Sequence, residues 1–156
     1  MSVLAPMAIL LAYDPSTNPL NNNEWSFPLL EILHILGFAL SIGTIAVVDV
    51  RLLGYGLKQS TPSQVLKGTA PWSLAGLVVM LTTGPAIFSS DPRMYLFNMG
   101  FRFKMGALLL AIVYNYTIRR KVALADASGG TAALVGVVSL MLWVSVVAGG
   151  IFIAFV

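Results

Sequence analysis

His34 is the one histidine in the chain, and it lies within the first long apolar stretch of the sequence. Glu31 precedes it by three residues, so a helix places both ionisable side chains on neighbouring positions of one face. Ionisable residues are costly inside a membrane, and those that occur there usually serve a function. A neutral imidazole is also a good ligand for a metal. His34 is therefore the first candidate for a functional residue.

The composition indicates an integral membrane protein. Of the 156 residues, 58% are hydrophobic and 10% are charged, whereas soluble domains carry about 25% charged residues. The absence of cysteine excludes disulfides, thiolate metal sites and cysteine nucleophiles, and a single histidine excludes a multi-histidine metal site within one chain. The basic residues that give the net charge of +3 lie in short loops beside apolar stretches, which favours membrane topology over nucleic-acid binding.

Four stretches are each long enough to cross a bilayer, which takes about 20 residues. They cover residues 27–53, 70–89, 97–118 and 131–156, and the connections between them are residues 54–69, 90–96 and 119–130. Short connections make neighbouring helices antiparallel, so we predict an all-α fold, an up-down four-helix transmembrane bundle. Pro85 should kink the second helix because it lacks a backbone N–H.

The first 24 residues differ from the bundle formed by residues 25–156. Residues 1–13 are apolar but too short to span a membrane, and they lack the basic start of a signal peptide. They could lie in the membrane interface, pack on a partner, or pack on their own bundle. Residues 14–24 are rich in Asn, Pro and Ser, and we interpret them as a polar linker.

The positions of the basic residues predict an orientation. The first and third connections and their flanks contain Arg51, Lys58, Lys67, Arg119, Arg120 and Lys121. The middle connection has only Arg93, which lies close to Asp91. By the positive-inside rule, the first and third connections face the cytoplasm. We expect a multi-pass protein of the bacterial inner membrane with both termini outward.

Counting residues inward from the outer helix ends places several polar side chains in one layer. His34 and Lys104 each lie seven residues inside their helices, or roughly 10 Å at 1.5 Å per residue. The predicted cofactor-binding set comprises His34, Lys104, Glu31, Gly37, Thr82 and Thr83. Glu31 lies nearer the outer surface, and Gly37 offers room for a flat ligand one turn from His34.

Each of these residues also has a simpler interpretation. His34 could be a helix–helix hydrogen-bonding group, and Lys104 could extend to the membrane surface. Glu31 could pair with Arg102 or Lys104, and the two threonines could return hydrogen bonds to their own helix. Gly37 could serve helix packing alone.

A second polar position lies near the cytoplasmic end of the first helix. Asp49 and Arg51 are two residues apart, so they point to different faces. Arg119 and Arg120 end the third helix on the same side and are candidate partners for Asp49. We favour a structural ion pair here over a proton-transfer role.

Two segments carry a resemblance to known proteins. They are His34 with Gly37, Gly43 and residues 49–54 on the first helix, and residues 101–110 on the third. Together they resemble a bacterial family of small four-helix membrane proteins without assigned function, and more distantly the HemJ-type protoporphyrinogen oxidases and CopD-like membrane proteins. In the HemJ type a first-helix histidine, a third-helix lysine and haem b are central. The resemblance implies that His34 and Lys104 fill those roles.

Two functions follow as hypotheses. In the first, His34 ligates a b-type haem or related tetrapyrrole, and the protein takes part in membrane electron transfer or quinone-linked redox chemistry. In the second, the chain is a non-enzymatic accessory subunit of a larger membrane complex, with His34 structural or bound to a chlorophyll-type pigment. Both include the lipid bilayer and either a homo-oligomer or other membrane subunits as partners. A transporter or copper permease ranks last.

Overall fold

The computed structural model describes residues 12–155, and within that range it contains helices and no β-strand. Six α-helices follow one another: α1 (Ser26–Leu52), α2 (Pro62–Ser90), α3 (Pro92–Phe97), α4 (Met99–Tyr114), α5 (Arg120–Leu124) and α6 (Gly130–Phe152). A π-helical segment, Asn115–Arg119, joins α4 directly to α5. The predicted all-α fold is confirmed.

Helix α2 begins eight residues before the predicted start at Ala70, so the expected long connection is wrong in its second half. The reason is a capping box, in which the Thr61 side chain accepts from the backbone N–H of Gln64 and the Gln64 side chain accepts from that of Thr61. Pro62 occupies the first helical position, where a missing N–H costs nothing. Proline here starts a helix, and α2 also continues through Pro85.

The other two predicted connections are also partly helical. Residues 90–96 contain most of α3, whose first turn is capped by the Asp91 carboxylate accepting from the Met94 N–H at 3.0 Å. The segment 119–130 stays helical to Leu124. Consequently residues 99–124 are helical throughout, through α4, the π-helical segment and α5.

Three helices, α1, α2 and α6, are long and apolar enough to cross a membrane by length and composition. Helix α4 has 16 residues on its own, fewer than a bilayer requires. The chain is thus compatible with a multi-pass membrane protein, and its exposed surface carries many large apolar side chains.

The helices pack as two pairs, α1 with α2 and α4 with α6, and α1 joins the pairs by contacting α6. All four contribute to the central apolar cluster of Ile45, Leu77, Met80, Ala107, Leu108, Ala111, Trp143 and Val146. A second apolar cluster lies toward the basic-loop end, meaning the end that carries Lys58, Lys67, Arg120 and Lys121. Both polar sites described below are built around these clusters.

The segment before α1 docks on the end of α2. It forms two 3-10 turns, Pro15–Thr17 and Pro19–Asn21. The Tyr13 hydroxyl and the Asn18 amide donate to the Ser89 carbonyl at 2.6 and 2.7 Å, which satisfies a carbonyl that the helix end leaves unpaired. Most of the predicted interfacial segment, residues 1–11, lies outside the described residues.

Candidate functional site

His34 lies half-buried between α1 and α2, and its imidazole is hydrogen-bonded to a threonine of α2. Its Nδ1 lies 2.7 Å from the Thr83 hydroxyl oxygen. The Thr83 hydroxyl also lies 2.7 Å from the Val79 carbonyl oxygen. When its single proton is donated to that carbonyl, the hydroxyl accepts from Nδ1 of a neutral His34, and Nε2 then keeps a lone pair for a ligand.

The imidazole also lies against the backbone of α2. A Cβ added to Gly84 would stand 3.4 Å from the His34 Cε1 atom, so the ring rests close to the helix at a position without a side chain. The Thr83 bond and the Gly84 contact together fix the ring orientation. Thr83 is buried and His34 is half-buried, so an apolar environment surrounds this contact on its inner side.

Lys104 approaches this region from α4. Its side chain is half-buried and passes over α6, where a Cβ added to Gly149 would lie 3.0 Å from the Lys104 Cβ and one added to Gly150 would lie 3.6 Å from its Nζ. The positive charge of Lys104 is close enough to His34 to disfavour a protonated imidazole. Within residues 12–155 the ammonium makes no hydrogen bond and no ion pair. A cation at this depth therefore has a free capacity for an acceptor or anion.

The remaining members of the predicted set occupy different positions. Thr82 is exposed and its hydroxyl donates to the Val78 carbonyl at 2.9 Å, so only Thr83 contacts His34. Glu31 is exposed, and among the described residues it pairs with neither Arg102 nor Lys104. The expectation that threonines bond their own helix is confirmed for both.

Gly37 contacts the neighbouring helix rather than open space. An added Cβ would lie 2.7 Å from a Val79 methyl and 3.1 Å from the Gly76 carbonyl oxygen. Gly76 is tighter still, since its added Cβ would lie 2.5 Å from the Gly37 carbonyl oxygen and 2.6 Å from the Ser41 nitrogen. The two glycines let α1 and α2 cross at close range. This crossing brings Thr83, about two turns after Gly76, to His34, about one turn before Gly37.

A second polar cluster is fully buried toward the basic-loop end. The Arg119 Nε donates to Asp49 Oδ1, and the Ser139 hydroxyl donates to Asp49 Oδ2 at 2.6 Å. Arg119 also donates from Nη1 to Asn115 at 2.6 Å and from Nη2 to the Ile45 carbonyl at 2.7 Å. The prediction that Arg119 or Arg120 pairs with Asp49 is confirmed for Arg119. The cluster links α1, α6 and the π-helical segment.

The π-helical segment gives Arg119 its inward direction. Such a segment inserts one extra residue per turn and rotates the residues that follow it around the helix axis. Asn115 begins the segment and Arg119 ends it, and both are buried. Sequence analysis missed Ser139 as a partner of Asp49 and Asn115 as a partner of Arg119. The one available signal was the spacing of Asn115 and Arg119, four residues apart and therefore adjacent on a helix.

The basic-loop end is held together by a third contact. The Asp126 carboxylate accepts from the Ser63 backbone N–H at 2.8 Å and from the Ser63 hydroxyl at 3.0 Å. These bonds favour the charged form and lower the pKa of Asp126 below its usual value of 3.8. Asp126 therefore caps the start of α2 from the loop that precedes α6.

Within residues 12–155, no group of three or more His, Asp and Glu side chains converges to hold a metal ion. The described part of the chain therefore offers His34 as a single imidazole ligand for a cofactor that brings its own further donors. A tetrapyrrole would be such a cofactor, since its own ring nitrogens supply most of the metal's ligands.

The chain was compared with known proteins by family and by structure. A family model described as "Family of unknown function (DUF6644)" matches residues 28–156. Comparison with curated proteins and with solved structures gave no match. The predicted resemblance to a family without assigned function is thereby confirmed, and the likeness to HemJ-type and CopD-like proteins stays a prediction.

Proposed function

We propose a function for this chain, which belongs to the family of unknown function DUF6644: it is a membrane protein that binds a b-type haem or related tetrapyrrole through His34. The role we assign to it is membrane electron transfer or quinone-linked redox chemistry. The observation that carries the proposal is the 2.7 Å contact between His34 Nδ1 and the Thr83 hydroxyl.

That contact has the form that metal-bound histidines use. A ligating imidazole usually donates its second N–H to an oxygen acceptor, which fixes the tautomer and orients the ring. Thr83 provides the acceptor, because its own proton is donated to the Val79 carbonyl. The Nε2 lone pair would then be the atom of this chain that holds a tetrapyrrole iron.

Lys104 supplies the second interaction that a haem requires. The propionates of haem are carboxylates, and an unpaired ammonium in a half-buried layer is a suitable partner for one of them. Lys104 meets this description, since its charge acts on His34 and it has no ion-pair partner among the described residues. A neutral Lys104 amine would be the alternative, as a second protein ligand to the iron.

The apolar core provides the remaining conditions for redox chemistry. A haem supplies one-electron transfer at its iron when bound, and the protein adjusts its potential by ligand, burial and hydrogen bonding. Here His34 would provide the ligand and Thr83 the hydrogen bond, and the central apolar cluster includes Met80, one turn before Thr83 on α2. One histidine per chain supplies one imidazole, so a haem with two histidine ligands would need a second subunit.

The same proposal includes four membrane spans and an orientation. In this proposal residues 99–124, which are helical throughout, form a fourth span beside α1, α2 and α6. Lys58, Lys67, Arg120 and Lys121 are exposed, and all lie at the end where Asp126 contacts Ser63. The positive-inside rule then places this end in the cytoplasm of a bacterial inner membrane, with both termini outward.

The test is the visible absorption spectrum and haem content of the full chain, purified in mild detergent from cells supplied with a haem precursor. We expect a Soret band and a positive pyridine haemochrome assay for the wild type, and loss of both for His34→Ala. Glu24→Gln is the control, because Glu24 is exposed in the segment before α1 and lies outside the predicted cofactor-binding set. A wild-type protein without haem contradicts the proposal. Migration in a larger complex would then support the accessory-subunit hypothesis.

A further inference from the structure

A groove separates α2 from the helix that contains the π-helical segment, at the level of the buried ion pair. It has a volume of about 180 Å³. Pro71, Leu74 and Tyr116 line it and are exposed, so it opens sideways on the apolar surface of the bundle. Because α2 packs mainly on α1, this side of α2 is free to border a groove.

The inner wall of this lateral groove carries unused hydrogen-bond donors. Arg119 lines it and is 2% exposed. A guanidinium group has five N–H donors, and the bonds to Asp49, Asn115 and Ile45 occupy one on each nitrogen. Two N–H groups, one on Nη1 and one on Nη2, therefore remain without a protein acceptor in the described part of the chain. An oxyanion is the acceptor that a guanidinium binds best.

The outer rim of the groove supplies net positive charge. Asp49 neutralises Arg119, but the neighbouring Arg120 also lines the groove, is exposed and has no hydrogen bond or ion pair within residues 12–155. Thr69 and Ser73 add hydroxyl groups on the opposite wall. The groove therefore combines an apolar, sideways opening with a cationic and hydrogen-bonding interior.

We propose that the lateral groove binds the phosphate group of an anionic phospholipid, held by Arg120 and the two remaining N–H groups of Arg119. The occupant is a lipid because the opening at Leu74 and Tyr116 faces the surface that acyl chains cover, while the phosphate reaches the arginines. The groove also lies at the basic-loop end of the bundle, where anionic lipid head groups gather around basic side chains. This site is independent of His34 and of any cofactor there.

Native mass spectrometry of the purified full chain tests the proposal, with titrations of phosphatidylglycerol and phosphatidylcholine. We expect the wild type to bind phosphatidylglycerol several-fold more tightly, and Arg120→Gln to weaken that binding about fivefold. Lys121→Gln is the matched control, because Lys121 is the next residue, exposed and equally charged, but does not line the groove. It should change the affinity less than twofold.

A second variant tests the cavity itself. Ser73→Leu fills the groove without changing any charge, and it should abolish the preference for phosphatidylglycerol. Equal losses for the Arg120 and Lys121 variants would overturn the proposal, since they would indicate general surface electrostatics. Equal affinities of the two lipids would also overturn it. Displacement of the lipid by millimolar inorganic phosphate would show that the site takes soluble phosphate instead, and would refute the lipid assignment.

Discussion

Asp49 and Arg119 lie 70 residues apart in the sequence and form an ion pair in which both side chains are almost completely buried. Ser139 donates a hydrogen bond to Asp49, and Arg119 donates to Asn115 and to the Ile45 carbonyl. A buried pair that is hydrogen-bonded to its neighbours in this way ties together the helices that contribute to it. Here it holds α1, α6 and the π-helical segment in one arrangement.

Removing one charge of this pair should be strongly destabilising. Asp49→Asn keeps the side-chain size but leaves the Arg119 guanidinium buried without a counter-charge, which costs about 3–5 kcal/mol. The double variant Asp49→Leu with Arg119→Met should recover most of this loss, because no buried charge is then left unpaired. Reversible unfolding in mixed micelles measures both. A double variant as unstable as Asp49→Asn would contradict this account.

Part of this pair could be predicted from the sequence, and part could not. Asp49 and Arg119 are charged residues at helix ends on the same side of the bundle, so their pairing follows from topology. The π-helical segment is a local rearrangement of backbone hydrogen bonds that no residue in Asn115–Arg119 specifies by type. The inward direction of Arg119, and its choice over Arg120, depend on that segment.

The His34 site, too, could be predicted from the sequence only in part. Depth counting brought Thr82 and Thr83 to the level of His34, because helix rise is regular. It did not say which threonine faces His34, since that depends on how α1 and α2 are rotated against each other at Gly37 and Gly76. Helix ends were misplaced for a different reason: Pro62 is equally compatible with a loop and with the first turn of a helix.

Thr83 should control ligand binding at His34 without contacting the ligand. Thr83→Val removes the acceptor for the Nδ1 proton, and losses of such an orienting partner reduce metal affinity by about 10–100-fold. Thr82→Val is the matched control, because Thr82 is exposed and bonds only its own helix. Haem titration of the purified apoprotein, followed at the Soret band, measures both. Equal effects of the two variants would refute an orienting role for Thr83.

The contact between Asp126 and Ser63 should make stability depend on pH. The pKa of Asp126 is lowered in the folded state, so its contribution to stability is present above the unfolded pKa of about 3.9. That contribution is lost as the pH falls through the lowered folded value. Asp126→Asn, which tolerates the positive φ of 49° at this position, should therefore differ from the wild type at neutral pH and converge with it in acid.

Thermal unfolding of both proteins across the range from pH 7 to about pH 2 checks this dependence. Glu24→Gln serves as the control, since Glu24 is exposed in the segment before α1 and should leave the wild-type profile unchanged. A constant difference between wild type and Asp126→Asn at every pH would mean that the carboxylate charge has no part in the contact.

The crossing of α1 and α2 at Gly76 should tolerate no side chain. In Gly76→Ala the new Cβ meets backbone atoms of Gly37 and Ser41 at 2.5 and 2.6 Å, so the helices must separate. Overpacking of this kind costs about 1–3 kcal/mol. In Gly43→Ala, on α1, the new Cβ meets nothing within 4 Å and should stabilise the helix by about 0.5–1 kcal/mol. Unfolding in mixed micelles should show a lower free energy of unfolding for Gly76→Ala and a higher one for Gly43→Ala. A change of the same sign in both variants would refute the close crossing.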